Sequence, residues 1–218
     1  MRKYVLALAA LALIAVPTTT AAQIGIGGRA GTLGLGAEIG LELSESIVLR
    51  GGMGFVPLEL NQSFSEMNLT ATFPSIISAG IDLFPGGGSF RISGGVLFRP
   101  DDIELDGIPI GPVDIGGTTY TVEQVGSIVG TIGSSSEIAP FVTIGWGKHT
   151  SSGFGLFLDI GAAYLGDPEV DAQATGTFAE DDAFNDHLDA EIAEFEDDLG
   201  SYLQFYPILS IGIRIGIS

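Results

Sequence analysis

From Thr32 to Leu43 the chain alternates without a break. Leu33, Leu35, Ala37, Ile39, Leu41 and Leu43 share one parity; Thr32, Gly34, Gly36, Glu38, Gly40 and Glu42 share the other. A period of two puts the two sets on opposite faces of an extended strand. The same two-faced signature recurs at about 24–30, 47–57, 69–83, 89–98, 138–147, 154–165 and 206–217, which makes eight strands. Several match the roughly 9–11 residues that a tilted strand needs to cross a bilayer.

The polar faces decide which solvent the apolar faces meet. They consist mostly of Gly, Ser and Thr with almost no Lys, a poor surface to show to water. A soluble β-sandwich or lipocalin-like barrel, which would turn these faces outward, is therefore disfavoured. With the apolar faces outward, the strand charges Arg29, Glu38, Glu42, Arg50, Asp82, Arg91, Asp159 and Arg214 all point into the lumen. Four acids against four bases can neutralise one another inside a narrow barrel. Aromatic residues gather near the strand ends. Phe84, Phe90, Trp146 and Phe154 flank short connections, while Phe55, Phe98, Tyr164, Phe205 and Tyr206 lie near long ones. Two aromatic girdles at the two interfaces are expected of a membrane barrel.

The connections alternate in length. Short ones lie at 44–46, 85–89 and 147–153; long ones lie at about 58–68, 99–137 and 166–205, with a tight hairpin at Ala30-Gly31. Short turns on one side and long loops on the other are the habit of outer-membrane barrels. The expected fold is all-β: an eight-stranded, antiparallel, up-and-down transmembrane barrel with one amphipathic helix in the last long loop. A ten-strand version, with 102–105 and 169–175 extending the pairing, is the alternative.

That helix is read at 182–203, where Phe184, Leu188, Ile192, Phe195, Leu199 and Leu203 recur at intervals of four or three. Its other face is acidic, and 13 of the 27 acids lie between residues 166 and 200. A shorter helical turn is marked by Thr121-Val-Glu-Gln124, a capping box.

At the N-terminus, Arg2 and Lys3 precede an apolar run from Tyr4 to Val16, followed by small residues up to Ala22. This is the pattern of a secretory signal peptide over 1–22, leaving 23–218 as the barrel domain. Residues 23–218 keep 6 basic residues against 27 acidic ones, a net charge of −21. Phosphate would be repelled, which excludes nucleic acid as a partner. The chain has no cysteine, hence no disulfide framework and no thiolate metal site.

Four blocks, Gly31-Thr-Leu-Gly-Leu-Gly36, Gly116-Gly-Thr-Thr-Tyr-Thr-Val-Glu-Gln-Val-Gly126, Ala139-Pro-Phe-Val-Thr-Ile-Gly-Trp-Gly147 and Tyr206-Pro-Ile-Leu-Ser-Ile-Gly212, together resemble uncharacterised outer-membrane β-barrel proteins of Gram-negative bacteria. The resemblance, of the small porin-like kind, implies a signal peptide, a closed barrel and a cell outer-membrane location. It implies no established activity and no catalytic residue. One departure stands out: such barrels usually end in an aromatic residue, whereas this chain ends Ile213-Arg-Ile-Gly-Ile-Ser218.

No chemistry-bearing motif is evident, so no catalytic, cofactor or metal site is assigned. The two histidines are His149, in a short turn, and His187, in the acidic helix. The expected partners are outer-membrane lipid and lipopolysaccharide, the barrel-assembly machinery, and divalent cations at acidic clusters such as 180–182 and 196–198. Three functions stay open: a structural or surface-interaction barrel, a passive channel or carrier for hydrophobic compounds, and a lipid-modifying enzyme using His187. Matched lumen charges favour a closed barrel, while abundant lumen glycine favours space.

Overall fold

The computed structural model describes residues 23–57, 60–63 and 66–217. The expected signal peptide at 1–22 and the C-terminal Ser218 lie outside them. In chain order the strands are β1 (Ile24–Gly31), β2 (Leu35–Ser44), β3 (Ile47–Phe55), β4 (Leu60–Ser63), β5 (Met67–Thr72), β6 (Ile76–Leu83), β7 (Phe90–Phe98) and β8 (Ile103–Pro109). They continue with β9 (Val113–Ile115), β10 (Thr118–Tyr120), β11 (Ile128–Ser134), β12 (Ile138–Trp146), β13 (Gly153–Tyr164), β14 (Pro168–Ala174) and β15 (Phe205–Ile217). Helix α1 spans Val122–Val125 and helix α2 spans Asp182–Leu203.

Eight strands close a barrel in the order β1-β15-β13-β12-β7-β6-β3-β2, every pair antiparallel. Each barrel strand neighbours the one before and after it in the chain, and β15 closes on β1, so the barrel is an up-and-down meander. Closure leaves no strand edge unpaired, the condition for placing backbone in lipid. Ile24 at the start of β1, Ile217 at the end of β15 and the turns at 45–46, 84–89 and 147–152 share one end of the barrel, the turn end. The long connections share the other, the loop end.

Those connections are folded. A five-stranded sheet, β14-β11-β8-β5-β4, and the hairpin β9-β10 stand apart from the barrel sheet. The ten-strand alternative fails here: 103–109 and 168–174 are strands, but both pair with β11 in this second sheet. A second core forms around Val113, Ile115, Tyr120, Val125, Phe184 and Leu188. Helix α2 therefore buries Phe184 and Leu188, with Ile192 beside them, against the second long loop, while Phe195 stays exposed. Its first turn is capped by the Asp181 carboxylate, which accepts from Phe184 N at 2.9 Å. The capping box at Thr121 and Gln124 opens α1.

The single strand expected at 69–83 is two strands. Pro74, with no N–H to give a ladder, breaks it: β5 joins the loop sheet and β6 enters the barrel. The first hairpin turns at 32–34, not at Ala30-Gly31. Gly34 there adopts φ +81°, and Leu33 folds inward to the core instead of outward.

Candidate functional site

Strand parity sorts the barrel walls cleanly. Apart from Ser44 at the bulged end of β2, the outward positions on the eight barrel strands hold only Gly, Ala, Pro, Met and large apolar or aromatic side chains. Ile39, Val142, Leu156 and Ile211 are each more than half exposed. A water-soluble monomer rarely shows an apolar surface of this extent. Toward lipid it is the low-energy face, since a basic side chain at the bilayer midplane costs about 2–4 kcal/mol.

The inward face is stratified. At the loop end it is apolar: Leu33, Ile76, Leu97, Ala139, Ala163 and Ile208 form one buried cluster, with Phe141 and Tyr206 packed on it. Below that layer lies an ion-pair network. Arg29 Nη1 donates to Glu38 Oε1 at 2.7 Å. Arg50 meets Glu38 at 3.3 Å, Asp82 at 3.2 Å and Asp159 at 2.9 Å. Arg91 donates to both oxygens of Asp159 at 2.8 Å and lies 3.8 Å from Asp82. Three guanidinium groups thus face three carboxylates, all of them buried. Each charge removed from water meets an opposite charge, and all but Arg29 meet at least two, the condition under which a buried ion cluster is tolerable.

The turn end is closed by its own turn. Residues 147–152, between β12 and β13, fold back into the barrel, and His149 and Thr150 are fully buried. His149 Nε2 lies 2.9 Å from Glu38 Oε2, with its ring against Phe157 at a centroid distance of 4.5 Å. Lys148 donates to Glu42 at 2.9 Å, and Thr150 donates to the other oxygen of Glu42 at 2.5 Å. Arg91 donates to the carbonyl of Gly147, and Arg214 to the carbonyl of Ser151 at 2.5 Å. Every residue from 147 to 151 is therefore tied to the barrel wall.

Lumen glycine is what admits this filling. A Cβ on Gly25 would fall on the carbonyl oxygen of His149, and one on Gly216 on that of Ser151. A Cβ on Gly155 would lie 2.5 Å from the Arg214 guanidinium, and one on Gly212 would collide with the Phe157 ring. The glycine space is thus occupied by long side chains and the inserted turn. What remains at the level of the network is a chamber of about 20 Å³, near the size of one water.

All eight charges expected in the lumen point inward here, but they are not paired strand base to strand acid throughout. Glu42 takes Lys148 from the turn, and Arg214 takes a turn carbonyl, with no carboxylate partner among the described residues. The inserted turn escaped the sequence reading. Its signal was the polar run Lys148-His149-Thr150 set opposite two carboxylates, Glu38 and Glu42, on one strand face.

Of the expected girdle residues, Phe55, Phe90, Phe98, Trp146, Phe154 and Tyr164 lie on outward positions. Phe90 and Trp146 meet edge to face at 5.6 Å at the turn end. Two do not belong to a girdle. Phe84 is buried inside the turn end, beneath Lys148, whose Nζ lies 5.6 Å from the ring centroid. Tyr206 points into the apolar layer and donates its hydroxyl to the Thr32 carbonyl, while Phe205 beside it faces out against Tyr164. Each has the inward parity of its strand, which outweighs the preference of aromatics for the interface.

At the loop end, His187 Nδ1 lies 2.7 Å from the Tyr120 hydroxyl, and Glu191 accepts from Gly116 N at 2.9 Å. Glu196 accepts from Val170 N at 2.8 Å. These helix side chains dock α2 on its neighbours. Among the described residues no group of three or more His, Asp or Glu side chains is placed to hold a metal ion. The excess acid is concentrated at this end: beyond residue 22, Arg99 is the one Lys or Arg outside the barrel strands and the inserted turn.

No protein-family model matches the chain, and no curated protein does. Solved structures do. The crystal structure of Acinetobacter baumannii CarO2 aligns with a TM-score of 0.59 at 18% identity, over 91% of this chain and all of that one. The crystal structure of A. baumannii CarO aligns at 0.56 and 18%, over 88% of this chain and 96% of that one. The likeness is one of fold, and it takes in the loops as well as the barrel.

Proposed function

We propose that this chain is an integral outer-membrane protein with a sealed barrel and a structural or surface-interaction role, its acidic loop assembly presented outside the cell. The observation that carries the reading is the outer wall of the barrel, which bears no charged side chain on any of its eight strands. Likeness in fold to the CarO proteins, and the sorting of turns and loops to opposite ends, support it. The filled lumen favours a closed barrel over a passive channel: an apolar layer, an ion network and an inserted turn lie in series along the axis. His187, bonded to Tyr120 in the packing of α2, offers no support to a lipid-modifying enzyme. The acid at the loop end would meet lipopolysaccharide phosphate through divalent cations, which bridge like charges.

Membrane fractionation with a gel assay tests the placement. The protein should stay with the outer membrane and migrate differently before and after boiling. Recovery in the soluble periplasmic fraction would refute it. Planar-bilayer recording tests the seal, and discrete conductance steps from the purified protein would restore the channel.

A further inference from the structure

The chamber inside the barrel lies between the ion network and the apolar layer. Arg29, Thr143 and Ser210 line it on the polar side, and Leu97, Phe141 and Ile208 on the other. Arg29 uses only Nη1, toward Glu38 and, at 3.5 Å, Ser78. Its Nε and Nη2 have no hydrogen-bond partner among the described residues, and neither do the hydroxyls of Thr143 and Ser210. All three residues are at least nine-tenths buried. Buried polar groups are almost always paired, because leaving them bare forfeits the hydrogen bonds they had in water. Four unpaired polar atoms around one small space therefore call for a ligand.

We propose that this chamber binds one water-sized hydrogen-bond acceptor, held by the free N–H groups of Arg29 and the hydroxyls of Thr143 and Ser210. The size is set by the chamber, about 20 Å³, which admits a single water or halide ion but no organic solute. The chemistry is set by the donors. Guanidinium N–H groups only donate, and a hydroxyl can donate, so the occupant must accept. Charge favours water over a halide. Arg29, Arg50 and Arg91 are already matched by Glu38, Asp82 and Asp159, and two of those carboxylates line the same chamber. The bound acceptor completes the network: it links β1, which carries Arg29, to its neighbour β15, which carries Ser210, and across the lumen to β12, which carries Thr143.

The test is diffraction from two crystals of the full barrel, one grown in sodium chloride and one in sodium bromide. The expected result is a density peak within hydrogen-bonding distance of Arg29 Nε or Nη2 and of at least one hydroxyl, with no bromide anomalous signal. An anomalous peak at that point also supports the site and makes a halide its occupant. An empty chamber, or density continuous with a detergent chain, overturns the proposal. A double variant, Thr143→Val with Ser210→Ala, keeps the barrel's volume and its gel shift. It should lose the peak, and a peak unchanged in that variant would overturn the role given to the hydroxyls. None of these outcomes depends on which membrane holds the protein.

Discussion

Glu38→Gln is the sharpest perturbation of the barrel interior. The carboxylate accepts from Arg29 at 2.7 Å, from Arg50 at 3.3 Å and from His149 at 2.9 Å, and it is 3% exposed. Glutamine keeps the volume but replaces one acceptor oxygen with a donor and removes the charge. Arg50 retains the carboxylates of Asp82 and Asp159; Arg29 retains no carboxylate partner, only neutral acceptors. Stranding one charge of a buried pair typically costs about 3–5 kcal/mol. With a urea slope of about 2 kcal/mol/M, the unfolding midpoint should fall by about 1.5–2.5 M. The single tryptophan, Trp146, sits on the outer wall at the turn end and reports unfolding in lipid vesicles by its emission. Adding Arg29→Gln removes the stranded cation, so the double variant should recover part of the loss, with a coupling of about 0.5–3 kcal/mol. A single-variant midpoint within about 0.3 M of wild type, under 1 kcal/mol at that slope, would refute the claim that this carboxylate holds the network.

Three other outcomes follow from the geometry. A Thr150→Cys variant, made in a chain with no other cysteine, should resist maleimide when folded; adding Gly25→Ala, whose methyl takes the place of the His149 carbonyl, should expose it. Unchanged labelling would mean that the turn is not seated in the barrel. Val142→Arg on the outer wall should cost about 2–4 kcal/mol of stability in a bilayer, whereas Val129→Arg, on the exposed face of β11, should leave folding yield unchanged. Equal losses for the two would argue against lipid contact. Tyr120→Phe removes the hydroxyl on His187 and should loosen α2 by about 1 kcal/mol, read as roughly fivefold faster proteolysis of the helix with the barrel's gel shift intact.

Sequence alone determined the barrel. Alternation is a local property: side chains two residues apart share a face whatever the rest of the chain does, so Leu35, Ile39 and Leu41 fixed the outer wall, and Glu38 and Arg29 the inner one. It also fixed α2, because a stripe at intervals of three and four residues needs no partner to be recognised. The tertiary structure decided the rest. That Phe84 packs beneath Lys148, and that Tyr206 reaches the Thr32 carbonyl, depends on segments brought together only when the barrel closes. The split at Pro74 depends on a second sheet being there to receive β5. The inserted turn depends on space left by glycines such as Gly25 and Gly216, far away in the chain, and no periodicity encodes that fit. The partner of α2, the hairpin around Tyr120, likewise becomes visible only when two long loops meet.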